Sequence, residues 1–424
     1  MEVLVIGGGA SGLIAAVSSA RGGASVRILE KNNCAGRKIL ATGNGRCNFT
    51  NSGCVSDDFM GSQPEFIEAV LSHFGVKETL LFFEELGIFS REESEGRLYP
   101  YSEQAVSVLD ALISELARLK VEIIPDSPVT AVKKTDEGFI VVVSGGRQYR
   151  ADRIVVATGG KAGGQYGCSG DGYAIAKELG HQLINPRPAL VQLVSSEAFF
   201  SQLKGVRAKG KVTLFKDYPG DLSKHRHQSV AQETGEIQFT ETGLSGICIF
   251  NLSRCIRSTA VIEIDLIPEV SLEILKEKLY GHLDHCRHKT LEDFLNGIVN
   301  KKLIPVLLKE CGVAGVYKNC GMLDRAAIDK IARILKEWPI SIIGSKGFQD
   351  AQTTAGGVDT TEIDRDTLES KLVKGLYFAG EVLDVDGRCG GYNLQWAWTS
   401  GFVAGRSAAL RFPKASLKSQ AAPC

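Results

Sequence analysis

Residues 3–16 read VLVIGGGASGLIAA, and their order sets the architecture of the front of the chain. Val3, Leu4, Val5 and Ile6 form a short apolar run rich in β-branched residues, the composition of a parallel strand buried on both faces. The run enters Gly7-Gly8-Gly9-Ala10-Ser11-Gly12 directly, so that Gly7, Gly9 and Gly12 satisfy GxGxxG, and Leu13 to Arg21 continues as a helix of small and apolar residues. In such a unit the first glycine allows a tight turn, the second admits a pyrophosphate to the backbone, and the third lets helix and strand pack closely. The N–H groups that open the helix, at Ala10 and Ser11, offer donors and partial positive charge to phosphates. Ser25 to Leu29 is a second strand, and Glu30 at its end stands where a carboxylate accepts hydrogen bonds from ribose hydroxyls.

A carboxylate at Glu30 disfavours a 2′-phosphate, which argues against NADP at this position and leaves FAD and NAD. Residues 36–51 separate these two. After the acid, an NAD domain enters another helix, whereas this chain passes Lys31 and the basic Gly36-Arg37-Lys38 into LATGNGRCNFTN (40–51). Nothing there has a helix or strand period, and its glycines and asparagines favour turns and positive φ. A loop of donors and acceptors, with Thr42, Gly43, Asn44, Cys47 and Asn48 at its centre, suits the ribityl chain and polar ring of a flavin. FAD is the expected cofactor.

The middle of the chain reads as a helix over 64–86, a helix over 103–119, a strand at 121–124, and a small meander at 128–132, 139–143 and 148–150. Ile154 to Gly160 is a strand ending in Ala157-Thr158-Gly159-Gly160, a return beneath the cofactor, and Ser169-Gly170-Asp171-Gly172 precedes a helix over 173–179, either facing the flavin or capping that helix through Asp171. From about 190 the pattern shifts to short, partly alternating strands, which predict a small barrel or sandwich. Helices follow at 271–283, 290–299 and 325–338. His282, His285, Cys286 and His288 lack a second ligand cluster and read as a solvated polar helix end, so no metal is expected.

Near the C-terminal end, Leu376 to Phe378 is an apolar strand followed by Ala379-Gly380-Glu381, a second place for an acid beside a ribityl chain. The segment Val385-Asp386-Gly387-Arg388-Cys389-Gly390-Gly391-Tyr392-Asn393-Leu394 then opens a helix whose positive end suits a reduced, anionic flavin. Together with Val129, these residues complete the set expected to hold the cofactor. Tyr166, Arg388 and Tyr392 are candidates, by position alone, for polarising a carbonyl or donating a proton.

Composition bounds the rest. The 424 residues suit two or three domains. Lys plus Arg and Asp plus Glu are 49 each, which gives no field for nucleic acid. No apolar run reaches the roughly 18–20 residues of a membrane span. An apolar strand from Val3 onward gives no presequence pattern, and eleven cysteines without CxxC pairs fit reduced thiols, so a cytoplasmic location is expected.

The stretches VLVIGGGASGLIAA, GRKILATGNGRCNFTN, VATGG, GDGYAIAKELGH, TTAGGV and GLYFAGEVLDVDGRCGGYNLQWAWTSG resemble the bacterial FAD flavoproteins of the aminoacetone-oxidase-like and BaiN-type bile-acid reductase family. That resemblance implies an α/β, glutathione-reductase-like Rossmann FAD domain interrupted by an inserted β-barrel and a helical subdomain. The expected division is 1–190 and 346–424 for the two parts of the FAD domain, 191–270 for the barrel and 271–345 for the helices. It further implies tightly bound FAD and NADH-linked reduction of conjugated C=C bonds in 3-oxo steroid intermediates of bile-acid metabolism. No second GxGxxG is present, so NADH or NADPH is expected as a transient donor at the flavin face, and a small hydrophobic steroid enone as substrate. Two alternatives stand beside this: an amine oxidase of the aminoacetone type, and a non-catalytic flavoprotein responding to redox state through Cys47 or Cys389.

Overall fold

The computed structural model describes residues 1–216, 229–313, 315 and 318–410, and the last part of the expected 346–424 segment, 411–424, lies outside the described residues. The chain divides into two units, one of 1–160, 166–185 and 356 onward, the other of 161–165 and 186–355.

A five-stranded parallel sheet forms the first unit, in the order Leu376–Phe378, Arg153–Val156, Glu2–Ile6, Ser25–Leu29, Glu122–Ile124. Val3, Leu4 and Val5 are wholly buried, as a strand covered on both faces requires. The expected meander is present as Val129–Thr135, Gly138–Val143 and Gln148–Ala151. The helix Ala10–Arg21 packs on the long helix Tyr392–Ala409 through small residues. A Cβ on Gly401 would lie 2.3 Å from the Ser11 carbonyl oxygen, and one on Gly405 would lie 2.2 Å from that of Ala15. Ser18 and Ser19 donate their hydroxyls to the Phe402 and Gly405 carbonyls at 2.9 and 2.8 Å, so the hydroxyls are satisfied inside the contact. Among the described residues, no helix is long and apolar enough to cross a membrane.

Several elements depart from the sequence pattern. The 36–51 loop contains a helical turn, Arg37–Ala41, and its end, Thr50–Asn51, pairs with Arg97 and Leu98. The 64–86 helix is two helices, Pro64–His73 and Val76–Glu85. Phe74 leaves helical geometry at the break and stacks on Phe402 at 4.2 Å, while its carbonyl accepts from Thr399 Oγ1 at 2.6 Å. The tertiary contact outweighs a continuous apolar pattern.

In the second unit, six antiparallel strands close a barrel: Leu193–Ser195, Gly243–Ser245, Ser229–Phe239, Arg207–Lys216, Ala260–Asp265 and Trp338–Ser345. Closure leaves no free edge. The last strand arises after the helices Leu272–Cys286 and Arg325–Lys336. The predicted 325–338 helix therefore ends early, because Trp338 is drawn into the barrel core against Phe199 and Phe239. The 290–299 helix is reduced to Leu291–Leu295. His285 and His288 are exposed, but Cys286 is buried and the His282 ring stacks on Phe294 at 4.8 Å. The expectation of a wholly solvated helix end is corrected there, and no group of three metal-capable side chains occurs among the described residues.

Buried in the first unit, His181 sits between Glu362, 2.9 Å from Nδ1, and Ser370, 2.9 Å from Nε2. Ser370 Oγ also accepts from the N–H groups of Leu372 and Val373 at 3.0 and 2.8 Å. With both lone pairs filled, its proton goes to Nε2, which leaves Nδ1–H to donate to Glu362. The set has the composition of a hydrolase triad, yet Ser370 is committed to its own turn and the imidazole is neutral by construction.

Two outcomes follow. Gly405→Ala introduces a clash against backbone that costs about 3 kcal/mol, the upper end for overpacking, against roughly 1 kcal/mol of helix propensity gained; urea denaturation should show a lower midpoint at unchanged slope. Burial holds His181 below the ordinary histidine value of 6.5 although Glu362 opposes the shift. The unfolded chain therefore binds the proton first, and the stability is full above 6.5 and declines as pH falls through that value toward the lower folded one. In His181→Asn this component of the acid slope should be missing from stability measured between about pH 7 and 5.

Candidate cofactor site

The three glycines of the first motif have different surroundings. A Cβ on Gly7 would lie 2.5 Å from the Ala157 carbonyl oxygen, and one on Gly12 would lie 1.9 Å from that of Gly7. These two are required by the protein's own packing. At Gly9 a Cβ would meet nothing within 4 Å. Gly9 is also the N-cap of the Ala10–Arg21 helix and brings no side-chain cap. The open side of the motif thus presents bare backbone and helix-opening N–H groups, which fits a pyrophosphate.

Glu30 braces this loop. Its carboxylate accepts from the Gly8 N–H at 2.7 Å and from the Asn32 N–H and Nδ2 at 2.8 and 2.7 Å. Arg37 Nη1 donates to Asn32 Oδ1 at 3.0 Å, and the Gly36 N–H donates to the Gly8 carbonyl at 2.8 Å. Val129 lies two residues past Ser127, whose N–H donates to the Glu30 carbonyl at 2.8 Å. Lys31 pairs with Asp171 at 2.7 Å and with Ser169. Thr158 packs against the same helix start, where a Cβ on Gly172 would fall 2.1 Å from its hydroxyl, and Gly159 turns at φ 71°.

The two ends of the sequence meet in this unit. Lys38 Nζ lies 2.8 Å from Glu381 Oε2. Burial opposes the Lys38 charge, but the adjacent Glu381 carboxylate prevails and holds the ammonium above the ordinary lysine range. Gly380, at φ 81°, is pressed against Ser11, and its N–H donates to Ser400 Oγ at 2.9 Å. Thr42 Oγ1 donates to the Ile39 carbonyl at 2.6 Å, and Gly43, Asn44 and Cys47 all have positive φ, which folds Asn48 back over Gly43. Asn51 Nδ2 donates to the Gly390 carbonyl at 3.1 Å, Trp398 Nε1 to that of Phe49 at 2.8 Å, and Thr50 Oγ1 to Gln395 Oε1 at 2.6 Å. Asn48 is 8% exposed, and its Oδ1, beside the Gly391 N-cap of the last helix, has no donor from the protein. An orphaned buried acceptor next to an uncapped helix start fits a ligand that brings its own N–H and carbonyl groups.

Other expected residues take positions of their own. Asp386 is buried in the Val385–Gly387 strand paired with Phe59–Gly61, and Leu394 is half-buried against the core. Asn393 staples the preceding turn, accepting from the Gly387 N–H at 2.8 Å and donating to the Gly387 carbonyl at 2.9 Å. Burial pushes the Cys47 thiol up to about 12 and raises that of the half-buried Cys389, the opposite direction to the lowered thiol of a reactive cysteine.

Among the candidates for proton chemistry, the Tyr166 carbonyl accepts from Asn32 Nδ2 at 3.2 Å, on the Glu30 side. The Arg388 N–H donates to the Asp58 carbonyl at 3.1 Å, and the Tyr392 ring meets Phe59 edge-on at 6.2 Å. Burial raises the Tyr392 phenol, with Arg388 and Arg97 pulling the other way. The sequence reading omitted Arg97, which also acts on Cys389. Its only signal is the strand RLYP (97–100), whose partner is Thr50–Asn51.

The contrast between glycines is testable. Gly9→Val should cost the apoprotein no more than about 1 kcal/mol, the scale of a poorer helix N-cap, while abolishing FAD retention, read from flavin absorbance and urea melts. Gly12→Val should fail to fold. Equal loss of fold in both variants would contradict the open position of Gly9.

Over 417 residues the chain is 43% identical to the 3-dehydro-bile acid delta(4,6)-reductase of Clostridium scindens, covering 96% of this chain and 98% of that protein. It is 30% identical over 414 residues to a ribosomal RNA dihydrouridine synthase of Haemophilus influenzae, with 96% and 98% covered. Among solved structures it is similar to a 3-ketosteroid-delta4-(5alpha)-dehydrogenase from Rhodococcus jostii, at 16% identity and a TM-score of 0.49 over 97% of both chains. Residues 1–407 match the HI0933-like protein Rossmann domain. With a full-length relative at 43% identity and a domain match through both halves of the site, the chain belongs to the HI0933-like family of Rossmann proteins.

Proposed function

We propose that this protein is an FAD-dependent reductase that saturates a C=C bond conjugated to a carbonyl in a 3-oxo steroid of the bile-acid type, with NADH or NADPH as transient donor. The observation that carries the reading is the 43% identity to a bile-acid delta(4,6)-reductase, which extends over 96% of the chain and so includes both glycine-rich ends that build the site. FAD, when bound, supplies the hydride chemistry. The chain's own residues bind the cofactor, exclude water and manage a proton.

Saturation of an enone needs a hydride at the β-carbon and a proton at the α-carbon. Tyr392 is the candidate for that proton or for a hydrogen bond to the carbonyl, since burial keeps its phenol protonated. Arg388 and Arg97 supply positive charge for an enolate. A single GxGxxG leaves the nicotinamide without a Rossmann site of its own, which implies a shared flavin face and ping-pong kinetics.

The relatives at 30% identity are named for dihydrouridine in ribosomal RNA, which is also the product of saturating a C=C bond next to a carbonyl. The reaction class is therefore common to both relatives, and the substrate is what differs. Equal numbers of acidic and basic residues, 49 each, give no long-range attraction for a polyanion and favour the steroid.

Anaerobic turnover of a 3-oxo-4,6-diene steroid with NADH or NADPH is the expected result, with parallel double-reciprocal lines. Tyr392→Phe should lower kcat by about 10²-fold or more while FAD stays bound, the scale of a positioned acid. Intersecting lines would refute the shared face. Turnover of ribosomal RNA uridine instead, or oxygen uptake with amines and none with enones, would refute the steroid assignment.

A further inference from the structure

We propose that Lys38 is a positioning residue for the cofactor and acts through Glu381, the two forming one charge-balanced unit that bridges the halves of the site. The inference rests on the FAD reading above and assigns how two of its residues work together.

The pair is set on two fixed backbones. Lys38 stands at the start of the Arg37–Ala41 turn, whose N-cap Gly36 takes φ 75° and is tied by its N–H to the Gly8 carbonyl at 2.8 Å. Glu381 follows the Leu376–Phe378 strand, where Gly380 is held by Ser400 through its N–H and by Trp396 Nε1, which donates to its carbonyl at 3.2 Å. The Tyr173 hydroxyl lies 3.5 Å from the Glu381 carbonyl oxygen. From these anchors the side chains, 343 positions apart in sequence, meet at 2.8 Å with 29% and 20% exposure. Partial burial lifts such a pair above the screened surface ion pairs that contribute little. One ammonium on one carboxylate oxygen fixes the orientation of the carboxylate and neutralises it.

Charge balance is the chemical reason for the pairing. A lone carboxylate beside a flavin opposes reduction, because the reduced ring gains negative charge. A lone ammonium there favours reduction. Paired, the two cancel to first order, and Glu381 orients hydroxyl groups of the cofactor without penalising its reduced form. Neither residue does this alone.

The test is a double-mutant cycle on the full chain, reading FAD affinity by fluorescence quenching during reconstitution and the flavin midpoint potential by dye equilibration. Lys38→Met and Glu381→Gln should each weaken FAD about tenfold or more, with the double variant no weaker than the worse single. The potentials should move in opposite directions. Lys38→Met should favour oxidised over reduced flavin about tenfold, or roughly 30 mV for a two-electron couple; Glu381→Gln should shift it the other way, and the double variant should return toward wild type. Lys38→Arg should keep affinity within about threefold, since the charge is retained. If Lys38→Met does not fold, Lys38→Arg and Glu381→Gln still carry the potential measurement. Additive affinity losses with unmoved potentials would overturn the pairing. Wild-type protein that takes up no FAD would overturn the FAD reading itself, a separate and visible outcome.

Discussion

The approach of the Ala10–Arg21 helix to the Tyr392–Ala409 helix is the constraint on which the first unit depends. With Gly401 and Gly405 facing its backbone, the early helix lies where any side chain would collide with the carbonyls of Ser11 and Ala15. Such closeness lets Ser18 and Ser19 hydrogen-bond across to the partner's carbonyls and seats Gly380 against Ser11. Two glycine-rich segments from opposite ends of the chain are thereby set beside one another. If the helices stood further apart, the motif at Gly7–Gly12 would keep its local form, but the acid at Glu381 and the turn at 386–391 would be withdrawn from it.

A second layer of contacts converts that proximity into a site. The fully buried Gln395 accepts from Thr50 and donates to Thr79 and Thr399, which locks the 47–51 segment and the two helices at 64–85 onto the last helix. A buried polar hub of this kind is favourable only when every member is satisfied. Asn48 Oδ1, by contrast, is buried beside the Gly391 N-cap of the last helix with no donor from the protein.

The glycines show a similar contrast. Gly7 and Gly12 are demanded by collisions inside the protein, and Gly9 by none. A fingerprint treats all three as one signal, whereas their surroundings in the fold separate the two that packing requires from the one with open space beside it. His181 gives the complementary case: a Ser–His–Glu set with the look of chemistry proves to be a brace, because Ser370 has both lone pairs occupied by its own turn.

The sequence alone determined the parallel sheet, the first helix and the dinucleotide motif, because each rests on local rules: apolar runs for buried strands, glycine for tight turns, an acid at a strand end. Its short alternating strands from about 190 also predicted a small barrel or sandwich, but not the Trp338–Ser345 strand that closes the barrel. Tertiary structure decided the rest. The break at Phe74, the recruitment of Trp338 as a barrel strand and the helical turn at Arg37–Ala41 follow from contacts with distant residues, which no local period records. Arg97 and the Lys38–Glu381 pair were invisible for the same reason. Their roles depend on which residues the packed helices bring within a few ångströms, and that distance is fixed only when the two ends of the chain close on each other.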